Sequence, residues 1–110
     1  MSKVKTKQKI KRRRVNFSLE AADAKEVILM GDFNNWNPKR HPMQSDGNGA
    51  WNKTVILSPG KHEYKFLIDG EWRVDPQNER ICPNSFGTYN SVFNLTEPYP
   101  GLAGSNFSER

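Results

Sequence analysis

Apolar and polar residues alternate over several short stretches of this chain. In "VNFSL", the apolar residues Val15, Phe17 and Leu19 are separated by single polar residues. This period of two predicts a strand with one buried face. The stretch "EVILM" that follows is almost uniformly apolar and predicts a second, more fully buried strand.

The same reasoning predicts four more strands, in "AWNKTVIL", "KHEYKFLI", "EWRV" and "SVFNL". Trp51 shares a register with Leu57, which favours a packing role for this ring. In the next strand, Tyr64 and Phe66 point to one face and Lys65 points to the other. The turns "SDGNG", "SPG" and "DG" separate these strands, and "DPQNERICPNSFGTYN" predicts a long irregular loop.

No long stretch has the period of a helix. Short strands with turn signals about every 8–12 residues predict an all-β, antiparallel β-sandwich. A chain of 110 residues favours a single domain. We expect that domain at residues 14–96, preceded by a basic, flexible tail at 1–13 and followed by a C-terminal extension at 97–110.

The positive charge of the chain is concentrated at its N-terminus. The formal net charge is +5, but the segment "SKVKTKQKIKRRR" alone holds eight of the 17 basic residues. The rest of the chain is therefore mildly acidic. A basic run of this kind is typical of a solvated arm, and its alternative role is contact with an acidic partner or polyanion. Nucleic-acid contact is expected only non-specifically, through this tail.

The sequence carries no sign of secretion or membrane insertion. Its N-terminus is charged and lacks an apolar leader segment, and no segment approaches the roughly 20 apolar residues that span a bilayer. The one cysteine, Cys82, excludes an internal disulfide. These features predict a cytoplasmic protein that does not associate with membranes.

Catalytic chemistry is not predicted. Asp69, Glu71 and Asp75 cluster in sequence as glycosidase carboxylates would, but Asp69 lies in a hairpin turn and Asp75 precedes a proline, which favours structural roles. Two isolated histidines and one cysteine make no metal cluster. No nucleophile elbow or phosphate-binding glycine loop occurs. We therefore expect a non-enzymatic protein without cofactor or metal.

Binding is better supported, because aromatic residues recur in the irregular segments. Trp36 lies in the loop "GDFNNWNP", Trp72 follows the "DG" turn, and "NSFGTYN" holds two more rings. A flat indole suits the apolar face of a sugar ring, while Asn and Lys supply hydrogen bonds for its hydroxyls. The alternatives are that Trp36 and Trp72 pack in the sandwich and that Lys65 is simply solvated.

Four segments in order, "VILMGDFNNW", "HEYKFLIDGEW", "DP" and "NSFGTYNSV", resemble the glycogen-binding domain of AMP-activated protein kinase β subunits. That domain belongs to carbohydrate-binding module family 48, which also includes the N-terminal domains of branching enzymes and isoamylases. The resemblance covers roughly residues 14–95. It implies an immunoglobulin-like, early-set β-sandwich that binds α-1,4-glucans such as glycogen, starch-like chains or maltooligosaccharides.

The resemblance also implies which residues contact the sugar. Trp36 and Trp72 would stack on glucose units, and Lys65 would hydrogen-bond hydroxyls. The loop "FGTYN" would add further contacts from Phe86, Thr88 and Asn90, with Phe86 where the family usually has Leu. Within the first loop, we expect Phe33 to turn inward and Trp36 to remain in solvent.

A second hypothesis makes the chain an interaction scaffold. The sandwich would dock on a glucan-metabolising enzyme or a kinase, and the glucan site would be vestigial. The resemblance does not explain the basic tail, which would then serve as the docking element.

Overall fold

The computed structural model describes residues 12–96, and these form two antiparallel β-sheets. Most of the tail predicted at 1–13, namely residues 1–11, and the extension predicted at 97–110 lie outside the described residues. The eight strands have the following bounds: β1 Arg13–Glu20, β2 Val27–Gly31, β3 Gln44–Ser45, β4 Ala50–Leu57, β5 Gly60–Ile68, β6 Glu71–Arg73, β7 Ile81–Pro83 and β8 Tyr89–Leu95.

Sheet A contains three strands in the order β1-β4-β3, and sheet B contains β2-β5-β8-β7 with β6 also paired to β5. All strand pairs are antiparallel. The predicted fold class, an all-β, immunoglobulin-like antiparallel sandwich, is confirmed. Among the described residues, no helix is long and apolar enough to cross a membrane.

The core lies between the two sheets and is filled by the apolar faces that the period of two predicted. Leu19, Leu29 and Phe66 are fully buried there, and Phe17 packs its ring edge-on against Tyr64 at 5.0 Å between centroids. Trp51 is also buried, with its indole N–H donating to the Ala21 carbonyl at 3.0 Å. The packing role predicted for Trp51 is confirmed.

Strand β5 changes partner halfway along one of its edges. Residues 60–64 pair with β8, whereas residues 66–68 pair with β6. On the opposite edge, β2 pairs continuously with β5 from Tyr64 to Ile68. Lys65 therefore lies at the one position where the sheet opens between β8 and β6.

Three details of the fold differ from the sequence prediction. The short strands β3 and β7 were not predicted, and β7 lies inside the segment expected to be an irregular loop. Strand β1 begins at Arg13, whose guanidinium donates to the Thr96 carbonyl at 3.1 Å. The first strand thus begins one residue before the domain start expected at residue 14.

Candidate binding site

An open depression of about 910 Å³ lies on the outer face of sheet B. We call it the concave face. It lies where β5 changes partner, and it is lined by Lys65 from β5 and Trp72 from β6. Six of its lining residues are those predicted from the sequence: Trp36, Lys65, Trp72, Phe86, Thr88 and Asn90. The other five are Asp32, Glu63, Pro83, Asn84 and Ser85.

Trp36 reaches the concave face through a tight turn after β2. A 3-10 turn over Asp32–Asn34 is followed by Asn35 and Trp36, both left-handed with φ of 58° and 55°. Such a conformation is uncommon for a large side chain and is held by the surrounding structure. The Trp36 amide donates to the Gly31 carbonyl at 2.9 Å, which closes the turn.

The buried amide of Asn34 holds this turn from inside. Its Oδ1 accepts from the Gly31 N–H at 3.1 Å, and its Nδ2 donates to the Leu29 carbonyl at 3.0 Å. The same Nδ2 lies 2.8 Å from His41 Nδ1. Since the amide nitrogen is the donor, His41 Nδ1 must be unprotonated in this contact. Burial, followed by the charges of Lys53 and Arg40, lowers the pKa of His41 and favours that state.

Phe33 and Trp36 point in different directions, as predicted. The Phe33 ring stacks on Phe17 with centroids 5.7 Å apart and packs against the core. The inward position of Phe33 is confirmed. Trp36 lines the concave face but is half-buried, so it is less open to solvent than the sequence analysis expected.

Trp72 is placed by the hairpin between β5 and β6. Asp69 and Gly70 both adopt positive φ, of 49° and 85°, as a two-residue hairpin requires. The Asp69 carboxylate accepts from the backbone N–H groups of Lys25 and Glu26 at 3.0 and 2.8 Å, so its predicted structural role is confirmed. The Trp72 side chain is 52% exposed.

The two indoles form an inclined pair. The centroids of Trp36 and Trp72 are 6.4 Å apart, and their planes meet at 60°. Lys65 lies beside this pair with only 8% of its surface exposed, and its Nζ is 5.8 Å from the centroid of Trp72. A cation at this distance over an indole is attracted to the ring. Lys65 is therefore a fixed donor, and the alternative of a solvated side chain is excluded.

The loop between β7 and β8 is organised by Asn84. Its Oδ1 accepts from the backbone N–H groups of Phe86 and Thr88 at 3.0 and 3.1 Å. Its Nδ2 donates to Thr88 Oγ1 at 2.8 Å and to Asn90 Oδ1 at 2.9 Å. Sequence analysis did not single out Asn84, although an Asn followed by Ser, Phe and Gly is typical of a turn in which Asn bonds the backbone two residues on.

Asn90 is buried and is held from both sides. Besides the bond from Asn84, its Nδ2 donates to Glu63 Oε1 at 3.0 Å. This hydrogen bond, followed by one from Cys82, keeps the pKa of Glu63 below its usual range. Burial in turn raises the pKa of the Cys82 thiol. Glu63 is a second residue that sequence analysis missed, because only the pairing of β5 with β8 brings it beside Asn90.

Phe86 stands at the rim of the concave face with 88% of its surface exposed. The hydroxyl of Thr88 lies deeper and accepts from Lys65 Nζ at 3.3 Å. The concave face thus combines three exposed or half-exposed rings with a row of hydrogen-bonding groups. Among residues 12–96, no three His, Cys, Asp or Glu side chains are grouped to hold a metal ion.

A small all-β sandwich with paired indoles beside fixed amide, hydroxyl and ammonium groups has the features of a carbohydrate-binding module. Comparison with known families agrees: the model for the glycogen recognition site of AMP-activated protein kinase matches residues 13–100. The chain belongs to this family, as its resemblance to carbohydrate-binding module family 48 implied.

Individual relatives come from three kinds of protein. The chain is 38% identical over 71 residues to 5'-AMP-activated protein kinase subunit beta-1 of Sus scrofa, an overlap of 64% of this chain and 55% of that subunit. It is 45% identical over 53 residues to the chloroplastic protein PTST homolog 2 of Arabidopsis thaliana, covering 48% of this chain and 10% of that protein. It is 40% identical over 67 residues to a 1,4-alpha-glucan branching enzyme of Bradyrhizobium, covering 61% and 9%. The chain thus spans about a tenth of two of these relatives and about half of the third.

Proposed function

We propose that this chain binds α-1,4-glucan, such as glycogen or a maltooligosaccharide, on the concave face without catalysing a reaction. The observation that carries the proposal is the inclined pair of indoles, Trp36 and Trp72, beside the ammonium group of the largely buried Lys65. Membership of a glycogen-recognition family supports the same ligand class.

Each indole offers an apolar surface to one glucose unit. A glucose ring exposes C–H groups on its faces and hydroxyls around its rim, so an aromatic plane and a row of polar groups together match it. The planes of Trp36 and Trp72 meet at 60°, so the two rings stack on units that face different directions. This suits an α-1,4-linked chain, whose successive units turn along a curved path, better than a flat β-linked ribbon.

The polar groups beside the indoles contact the sugar hydroxyls. Lys65 Nζ has three donor hydrogens, and only one bond, to Thr88, uses them within the described residues. Asn90 retains one N–H and one acceptor position after its bonds to Glu63 and Asn84. Phe86 at the rim closes over one side of the bound chain.

The affinity for a single short glucan is expected to be weak. The concave face is open and shallow, so bound sugar remains partly hydrated and a dissociation constant of about micromolar to millimolar is expected, roughly −4 to −8 kcal/mol. A glycogen particle carries many chain ends, and repeated contacts would raise the apparent affinity for the polymer.

The test compares binding of a cyclic maltooligosaccharide by the wild type and by the double variant Trp36→Ala with Trp72→Ala. We expect the double variant to lose measurable binding in calorimetry while it keeps the unfolding transition of a folded domain. The matched control is Ile56→Ala, which removes an apolar side chain from the outer face of sheet A and should bind normally. Normal binding by a folded double variant would overturn the proposal.

Electrostatic binding through the basic N-terminal segment makes the opposite predictions. Removal of residues 1–11 would then abolish glucan binding, and added salt would weaken it steeply, because salt screens exposed charges. Stacking and neutral hydroxyl contacts predict little change in either measurement.

A second candidate function is docking on a glucan-metabolising enzyme or a kinase. It is favoured by the relatives, since one is a kinase subunit and another is a branching enzyme. The two roles are compatible, because a module that holds glucan can bring an enzyme to its substrate. Co-purification of a kinase or branching enzyme with the wild type and equally with the double Trp variant would establish docking apart from glucan binding.

A further inference from the structure

A chain of hydrogen bonds runs along the floor of the concave face, from Lys65 through Thr88, Asn84 and Asn90 to Glu63. Its successive contacts measure 3.3, 2.8, 2.9 and 3.0 Å. Two of its members are the side-chain amides of Asn84 and Asn90. An amide has a donor end and an acceptor end, so each can in principle face either way.

The orientation of Asn84 is dictated by the backbone. Its Oδ1 lies 3.0 and 3.1 Å from the N–H groups of Phe86 and Thr88, which can only donate. A reversed amide would place two donors against two donors. Its Nδ2 must therefore face Thr88 Oγ1 and Asn90 Oδ1.

The orientation of Asn90 is dictated from the other end as well. The Glu63 carboxylate can only accept when ionised, so the Asn90 group 3.0 Å from it must be Nδ2. The lowered pKa of Glu63 keeps the carboxylate ionised near neutral pH. The two ends of the chain thus impose the same orientation on Asn90, and neither amide can turn over without an unfavourable contact.

We propose that Asn84 and Glu63 are positioning residues of the glucan site, which together fix the donor and acceptor ends of Asn90 and the hydroxyl of Thr88. This inference rests on the proposed function, because it explains how that site presents its polar groups to sugar. Thr88 Oγ1 accepts from both Lys65 and Asn84, and it donates its own hydrogen to Asn84 Oδ1 at 3.1 Å, so Asn84 fixes the hydroxyl. Lys65 Nζ and the second N–H of Asn90 are then the fixed donors for the oxygens of one glucan.

The substitution Asn84→Asp separates this role from a simple role in shaping the loop. Aspartate keeps the oxygen that accepts from the Phe86 and Thr88 amides, so the turn is retained. Its second oxygen replaces Nδ2 and opposes Asn90 Oδ1, so Asn90 must either lose this contact or turn its oxygen toward Glu63. We expect affinity for a cyclic maltooligosaccharide to fall about tenfold, the effect of losing a well-placed hydrogen bond.

A second substitution restores a chain of hydrogen bonds in which each donor faces an acceptor. In Asn84→Asp with Glu63→Gln, the glutamine amide introduced by the second change can donate to a reversed Asn90, whose Nδ2 then donates to the new aspartate carboxylate. We expect the double variant to recover part of the lost affinity and of the lost unfolding temperature, so the two changes are non-additive. Glu63→Gln alone should have a small effect, since its oxygen still accepts from Asn90.

Two controls isolate the orientation of the amides from charge. Asn48→Asp makes the same change at an exposed turn outside the concave face and should leave binding unchanged. Asn84→Asp with Glu63→Met removes the repulsion between the two carboxylates but supplies no donor, so it should recover less than the variant with glutamine. Recovery there equal to that with glutamine, or wild-type behaviour of Asn84→Asp alone, would overturn the proposal.

The unfolding temperature makes this test independent of the proposed function. If the wild type binds no glucan, the proposed function fails, but the non-additivity of the two substitutions is still read from stability alone. If the wild type binds and the two changes are strictly additive in both measurements, the positioning role fails and the glucan site remains.

Discussion

The outer faces of the two sheets show how similar strands produce different surfaces. On sheet A, the outward side chains of β1 and β4 bond one another: Asn16 Nδ2 donates to Asn52 Oδ1, and Thr54 Oγ1 donates to Asn16 Oδ1, both at 3.2 Å. On sheet B, the outward side chains of β5 and β8 form the concave face, where fixed amide and ammonium groups lie beside two indoles.

The difference follows from strand pairing. Strands β1 and β4 pair without interruption over eight residues, so their outer face is a continuous ladder of neighbouring side chains. Strand β5 exchanges β8 for β6 at Lys65, and the surface opens there. The concave face thus lies at the place where a ladder is interrupted, and three predictions test that contrast.

The largest effect is expected from Gly31→Ala, at the end of β2. A Cβ on Gly31 would lie 2.6 Å from the Phe33 ring and 2.9 Å from the Glu63 carbonyl, although its extended φ of −170° suits any residue. This overpacking should cost about 1–3 kcal/mol in the free energy of unfolding. Because Phe33 lies in the turn that precedes Trp36 and Glu63 lines the concave face, we also expect weaker glucan binding.

The control for Gly31→Ala is Gly47→Ala, in the turn that precedes β4 of sheet A. Gly47 has φ of 85° and open space around its Cβ position, so the change costs about 1 kcal/mol of conformational energy and leaves binding intact. Denaturant unfolding and calorimetry measure both effects. Equal binding by the two variants would show that the packing of Gly31 does not position Trp36.

An intermediate effect is expected from removing one exposed apolar side chain from each outer face. Trp72 and Ile56 are similarly exposed, at 52% and 60%. Trp72→Ala should weaken binding of a cyclic maltooligosaccharide by about tenfold, or ~1.4 kcal/mol, through loss of one stacked ring. Ile56→Ala should leave the affinity unchanged, and each variant should unfold within about 0.5–1 kcal/mol of the wild type. Similar losses of affinity in both variants would contradict a site confined to sheet B.

The smallest effect is a pH dependence centred on His41. Burial lowers the pKa of His41 below 6.5, so the unfolded chain binds the proton more readily than the folded one. This contribution to stability is complete above pH 6.5 and is lost as the pH falls through the lower pKa of the folded state. Protonation at Nδ1 also removes the acceptor for Asn34 Nδ2, which loosens the turn that carries Trp36.

Amide exchange between pH 7 and 5 measures where this loosening occurs. After correction for intrinsic rates, the N–H groups of Leu29 and Gly31 should exchange faster at the lower pH, because they bond His41 and Asn34. Amides of β1 in sheet A should show no such change. A variant with His41→Gln should lose the difference, and its persistence there would assign the pH dependence to another group.

Much of this molecule could be predicted from the sequence because its strands obey simple local rules. Alternation placed Phe17, Leu19 and Tyr64 in the core, and the "DG" turn placed Trp72 at the start of β6. Strand β3 has two residues and β7 has three, ending in Pro83. Segments this short carry too little periodicity to be recognised, and proline is tolerated in β7 because it is an edge strand.

For the candidate site, the sequence predicted the residues expected to contact the ligand but not the residues that hold them in place. Trp36, Lys65, Trp72, Phe86, Thr88 and Asn90 were nominated largely through resemblance to a family, and the structure gathers all six on the concave face. Their role in binding stays a prediction. Asn84 and Glu63 could not be found in this way, since their contacts with Asn90 depend on pairing between strands distant in sequence.

The hydrogen bond from Arg13 to the Thr96 carbonyl has a consequence for how this domain can be connected. It brings the first strand and the end of the last strand side by side, although the two residues are 83 positions apart in sequence. A short linker could therefore join the two ends, and new termini could be opened at the exposed turn near Gly47. Such a circular permutant would keep the concave face intact, because none of the residues that line it lies at the new linker or at the turn near Gly47.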